Sequence, residues 1–143
     1  MHPAFSVVLL TTLIGTAQGL FLALYTVQSY SVVALLPQQD GRFYAVGSAI
    51  ALLMLIGGLV ASFFHLGHPE RAWRAAARWR TSWLSREVIV LPALMGAVFV
   101  YGLLHWVGWD LTIIGIDTGV PGDLTLLVGA GGTVFAFALF LCT

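Results

Sequence analysis

Four long apolar stretches separated by short polar or glycine-bearing segments set the pattern of this chain. From Phe5 to Leu36 no side chain ionises apart from the phenols of Tyr25 and Tyr30, a run of 32 residues. A bilayer's hydrocarbon core needs about 20. The first span, 5–36, is therefore long or tilted, or its far end lies along the interface. Pro37 and Gly41 beside Asp40 and Arg42 mark a short turn, and a second span follows over about 44–64. After an arginine-rich stretch, 65–87, a third span covers about 88–108. Pro92 is expected in its first turns, where a missing N–H costs least. A loop containing glycine and aspartate, 109–122, leads to a fourth span over about 124–142. An open sheet cannot satisfy its backbone in lipid. The expected fold class is therefore all-α: a polytopic membrane helical bundle, four transmembrane helices running up and down in one domain over 1–143.

Composition agrees. Apolar residues make up 59% of the 143, charged residues only 8%, and lysine does not occur. A soluble domain carries roughly a quarter charged residues, so this chain cannot cover its surface with polar groups and lipid must do so. Nucleic acid is not an expected partner. A cleaved signal peptide fits poorly, because no Lys or Arg precedes the first apolar run, which is too long for a signal's hydrophobic core. Met1-His2-Pro3 is expected to be a short tail before an uncleaved helix. At the other end, Phe135 to Thr143 is still membrane-type sequence with no polar cap, and the expectation is a longer protein of which this is the first part.

Within the spans, small and polar residues mark expected helix contacts. Gly15 and Gly19 form a G-x-x-x-G in span one, and Gly129, Gly131 and Gly132 form a glycine-rich patch in span four. Such residues let helices approach closely in lipid, and ordinary packing within one bundle is the expectation. Gln18 and Gln28 are expected to hydrogen-bond to neighbouring helices, with a role in lining a site as the alternative.

Candidate chemistry concentrates between spans two and three. The segment His65–Glu87 contains Arg71, Arg74, Arg78, Arg80 and Arg86, five of the six arginines, together with three of the five tryptophans. Against Glu70 and Glu87 this leaves a surplus of three positive charges, whereas the opposite side sets Arg42 against Asp40, Asp110, Asp117 and Asp123. The positive-inside bias then puts the basic loop 65–87 and the N-terminus in the cytoplasm. Arg71, Arg74 and Arg78 follow i, i+3, i+7 spacing and fall on one side of any helix formed there. With the tryptophans they make an interfacial amphipathic pattern, which an anchoring role alone would explain. It does not explain the ends of the segment, where His65 closes span two and Glu87 opens span three. An imidazole and a carboxylate at the same membrane boundary suit proton handling near pH 7. A quinol head group needs that, because its hydroxyl protons leave as its electrons do. Capping and interface pairing are the alternative fates of both residues.

The run His65-Leu66-Gly67-His68-Pro69-Glu70-Arg71-Ala72, followed by Ser82-Trp83-Leu84-Ser85-Arg86-Glu87, resembles the membrane anchor subunits of the dimethyl sulfoxide reductase family. There, H-L-G-x-P-x-R-A and a following S-x-L-S-x-E sit between the second and third helices. The opening His2-Pro3-Ala4-Phe5-Ser6, with Thr11-Thr12-Leu13 and Gly15, is similar to the sulfite dehydrogenase (sulfite:quinone) branch of that family. The likeness covers roughly residues 2–90. It implies a quinone-reactive anchor without haem (menaquinone or ubiquinone), holding an iron–sulfur electron-transfer subunit and a molybdopterin catalytic subunit to a prokaryotic inner membrane. It also implies that His65 and Glu87 match quinone-pocket positions, that Arg71 matches the basic loop facing the iron–sulfur partner, and that four helices are half of an eight-helix anchor. The single Cys142 cannot ligate an iron–sulfur cluster, which typically takes four thiolates.

Rival readings fit less well. A haem-bearing cytochrome b-type anchor needs axial histidines, and His65 and His105 lie on opposite membrane faces of the expected topology. His65 and His68 are a weak metal pair, since Pro69 interrupts any helix aligning them and only Glu70 is near. A transporter would place ionisable groups near mid-span, and these spans have none. A non-catalytic scaffold tethering a redox partner remains the main alternative. The charge pattern predicts that cysteines introduced into the Gly67–Arg86 loop label from the cytoplasmic side; labelling from the periplasm would reverse the orientation.

Overall fold

The computed structural model describes residues 3–63, 83–109 and 123–142. They form four helices: α1 (Pro3–Val32), α2 (Gly41–Phe63), α3 (Trp83–Val107) and α4 (Asp123–Cys142). No strand occurs among the described residues, and each helix is long and apolar enough to cross a membrane. At about 1.5 Å per residue, the 30 residues of α1 reach well past a hydrocarbon core and the 20 of α4 match it.

The first helix ends at Val32, four residues before the Leu36 expected from hydropathy. Ala34 takes a left-handed conformation, φ 58°. Its N–H donates to Ser31 and that of Leu35 to Tyr30, at 3.2 and 2.9 Å, which is the paired closure of a Schellman cap. Pro37 disfavours helical backbone at the residue before it, so apolar Leu35 and Leu36 leave the helix although their side chains suit it. The third helix begins at Trp83, five residues earlier than Val88, because helical hydrogen bonds continue through the polar Ser85-Arg86-Glu87 of the interface. Pro92 therefore lies inside α3 and not in its first turns. Gly108, φ +71°, closes α3, and its N–H donates to Leu104 at 2.9 Å.

Consecutive helices pack as neighbours and α4 closes back on α1. Gln28 meets Thr125 while Gln18 meets Ala136, so α4 runs back as α1 runs forward. The same holds between α1 and α2, where Gly47 meets Leu24 and Gly58 meets Ile14. Each helix turns one stripe inward at alternating three- and four-residue steps: Ile14, Ala17, Phe21, Leu24 in α1 and Leu91, Leu94, Val98, Tyr101 in α3. Small residues, Ala51 and Ala61 in α2 and Ala136 in α4, let the backbones close in. The outer surface is as apolar as the core, with Leu53, Phe99, Val134 and Leu141 all exposed, as lipid contact requires. The structure is thus the up-and-down membrane bundle that the apolar pattern predicts.

Glycine packing divides sharply. A Cβ on Gly132 would stand 2.5 Å from the ring of the fully buried Phe21, and one on Gly129 would collide with Tyr25. Gly15, Gly19 and Gly131 have open space where a Cβ would go, so the G-x-x-x-G of α1 is not a packing face of this bundle. Gly132→Ala is expected to cost about 1–3 kcal/mol from overpacking. Gly19→Ala should be neutral or gain up to about 1 kcal/mol in helix propensity. Thermal unfolding of the two variants in detergent checks the contrast.

Candidate functional site

Polar side chains collect at the two ends of the bundle. At the end joined by the 64–82 connection, α3 contributes Arg86 and Glu87, both half-buried and both engaged by other groups. Glu87 lies four residues before Leu91 and seven before Leu94, so it continues the inward stripe of α3 by one turn. It stands in the first turns of α3, two residues into the apolar stretch Ser85–Val107 that is long enough to cross a membrane. Arg86, one residue earlier, falls beside that stripe. Of the other sequence-expected site residues, His65, Arg71, Arg74, Arg78 and Arg80 lie outside the described residues. The pairing of His65 with Glu87 therefore rests on the sequence.

The opposite end holds a network that the sequence only partly reveals. Tyr101 of α3 donates its hydroxyl to the Gln28 amide oxygen of α1 at 2.7 Å. The Gln28 amide nitrogen donates to the Thr125 hydroxyl of α4 at 2.6 Å. All three side chains are buried, so one amide joins three helices with both of its polar atoms used. Lower in the bundle, Gln18 donates to the Ala136 carbonyl at 3.2 Å. Both glutamines bond to neighbouring helices, as expected of polar groups within a span.

His105, in the last turn of α3, stands 4.4 Å from the ring of Tyr101 and 4.7 Å from that of Tyr44, centroid to centroid. Its Nδ1 lies 3.0 Å from the Tyr101 carbonyl. A carbonyl only accepts, so Nδ1 carries the hydrogen, and in the neutral ring Nε2 is left as an acceptor. Tyr44, on the inward stripe of α2, is 4% exposed. Its hydroxyl is the buried side-chain polar atom without a hydrogen-bond partner among the described residues. The first helical residue of α2 is equally close, since a Cβ on Gly41 would lie 2.8 Å from the His105 carbonyl oxygen.

Sequence reasoning picked out Gln28 here and missed Tyr44, Tyr101 and Thr125. Their spacing was legible in principle. Tyr44 and Ser48 sit a turn apart on α2, and Tyr101 and His105 a turn apart on α3. What joins them is the antiparallel register, which no single helix contains. No group of three or more His, Cys, Asp or Glu capable of holding a metal occurs among the described residues. His105 is a single histidine at the end of the bundle opposite the one that leads to His65.

Comparison with known proteins narrows the family. No solved structure matches the chain. Along all 143 residues it is 62% identical to a sulfite dehydrogenase subunit of Allochromatium vinosum, and it spans 44% of that relative's length. The family model for the DMSO reductase anchor subunit (DmsC) matches residues 1–115, which take in the first three helices and the connection bearing the arginines. Four apolar helices in an up-and-down bundle suit a membrane anchor, and on that match the chain belongs to the DMSO reductase anchor subunit (DmsC) family.

Proposed function

We propose that this chain is the quinone-reactive part of a membrane anchor subunit in a molybdopterin/iron–sulfur oxidoreductase, of the sulfite dehydrogenase type. It exchanges electrons between the quinone pool and an iron–sulfur partner. The observation that carries the reading is Glu87: a half-buried carboxylate in the first turns of α3, in line with that helix's inward stripe and beside the most basic segment of the chain. Family membership and the identity to the Allochromatium vinosum sulfite dehydrogenase protein support the type of complex.

Interconversion of quinol and quinone moves two electrons and two protons. A quinone carries a hydrocarbon tail, so its ring is most easily held where lipid meets water. Glu87 can take a proton from a ring hydroxyl or return one, with Leu91 one turn deeper supplying apolar wall. His65, two residues past the end of α2, supplies the hydrogen bond to the other ring oxygen, and Arg71 biases the charge of the pair. Electrons leave to the partner's clusters, since the one cysteine of this chain, Cys142, cannot build one. No haem is needed for this transfer.

Arg74, Arg78, Arg80 and Arg86 form the docking surface for the iron–sulfur partner. Clustered guanidinium groups steer an acidic face toward the membrane and fix its register. By the positive-inside bias this surface faces the cytoplasm of a prokaryotic inner membrane, together with the N-terminus.

Glu87→Gln keeps size and hydrogen bonding but removes the proton acceptor. It is expected to slow quinone-linked turnover of the assembled complex by about a hundred-fold, the usual scale of a lost general acid–base group, while activity of the catalytic partner with an artificial dye is unchanged. Equal loss of both activities would make Glu87 structural, and no loss of either would leave a scaffold. Replacing Arg74, Arg78 and Arg80 together by Gln should release the iron–sulfur partner from membranes, read by co-fractionation. Full retention would assign these residues to lipid head groups.

A further inference from the structure

The end of the bundle away from the arginine-rich segment carries a cavity of about 230 Å³ that the function proposed above does not use. Residues of all four helices line it, among them Gln28, Tyr44, Leu104, His105 and Thr125, and Trp109 follows α3 into its wall. We propose that this cavity binds the ring of a hydroxylated aromatic molecule of the quinol class, at the membrane face opposite the Glu87 end. The inference rests on the reading above for the class of ligand and not for its place.

Most polar atoms of the wall are already committed. Gln28 is used by Tyr101 and Thr125. The Ser31 hydroxyl goes to the Val27 and Pro37 carbonyls, and the Gln39 amide nitrogen to Pro37. Among the buried and half-buried side chains of the wall two groups stay uncommitted: the Tyr44 hydroxyl, which has no partner among the described residues, and the Nε2 lone pair that the Nδ1 bond of His105 leaves over. Buried polar atoms are nearly always paired, so an orphan hydroxyl calls for an occupant. A ring hydroxyl brought against Tyr44 and His105 would satisfy both groups at once, donating to His105 Nε2 and accepting from Tyr44.

Size and surroundings favour a ring over water alone. An apolar cavity of about 150 Å³ takes benzene, so 230 Å³ accommodates a substituted ring. The tilted rings of Tyr44 and His105 and the half-exposed indole of Trp109 offer aromatic faces. Beside the cavity on the same helix pair runs an apolar groove of about 240 Å³, lined by Ala45, Leu52, Val98, Phe99, Leu103 and Trp106. It starts one residue along from Tyr44 and from His105 and suits a hydrocarbon tail. A polar ring pocket beside an apolar groove matches a lipid-borne quinol.

The test uses the assembled complex with its full-length anchor in detergent and a fluorescent quinol analogue, 2-heptyl-4-hydroxyquinoline N-oxide, titrated by quenching. Tyr44→Phe removes only the orphan hydroxyl, and His105→Gln keeps a polar side chain of similar reach, so both variants should assemble. The double variant is expected to weaken the quenching component of this site at least ten-fold. It should leave the component that Glu87→Gln removes. Tyr44→Phe should also raise the melting temperature of the ligand-free protein while reducing the rise that the analogue produces. If Glu87→Gln abolishes all binding and the Tyr44 and His105 variants change none, water fills the cavity, the proposal falls and the Glu87 reading stands. If the double variant alone abolishes binding, the ring sits here and the Glu87 reading falls.

Discussion

Gln28 joins three of the four helices, and the bundle's geometry depends on it. Its oxygen accepts from Tyr101 and its nitrogen donates to Thr125, and all three side chains are buried. Each such bond in a membrane protein is worth about 0.6 kcal/mol on average and rarely above about 1.7. Its larger effect is on alternatives. Turning α1 about its axis would leave an amide, a phenol and a hydroxyl unpaired in hydrocarbon. The rotation that satisfies them is also the one that turns Phe21 and Leu24 inward and sets Phe21 against Gly132. Polar pairing chooses the register, and small residues then let the helices close.

That register gives the two membrane faces different chemistry. On one side a carboxylate and an arginine share adjacent positions of α3, at the end of the helix that continues from the basic connection. On the other side Asp40 and Arg42 flank the start of α2, while the buried polar groups are phenols, amides and hydroxyls, most of them paired with one another. The first arrangement suits exchange with a charged partner and with bulk protons. The second suits recognition of a neutral ring. Both follow from which residues the antiparallel stripes bring to each end, with no mid-span charge needed to hold the helices together.

Much of this fold was legible from hydropathy, because lipid demands long apolar helices and offers few other solutions. The ends of the helices were less so. Leu35 and Leu36 look like membrane residues, yet Ala34 in the left-handed region and Pro37 stop α1 before them. Ser85, Arg86 and Glu87 look like loop, yet they are helical, and their inclusion puts Pro92 in the interior of α3. The glycines show the same limit: Gly132 and Gly15 are indistinguishable in sequence, and only the facing helix decides that one meets Phe21 and the other open space. Glu87 could be singled out because a carboxylate beside a long apolar run is conspicuous. Tyr44 and Tyr101 could not, since phenols occur throughout such helices and the partner of Tyr101, Gln28, lies 73 residues away.

Pro92 adds a mechanical consequence. It removes the helical hydrogen bond to the Val88 carbonyl, and prolines are where long helices bend. Everything after it in α3 is held by buried contacts, Leu94, Val98 and Tyr101, with Tyr101 tied to Gln28. Everything before it belongs to the turns that carry Arg86 and Glu87. The helix is thus a clamped rod with its softest point between clamp and tip. A pull on the basic connection by a docked partner would swing the carboxylate through a small arc and leave the far end of the bundle still.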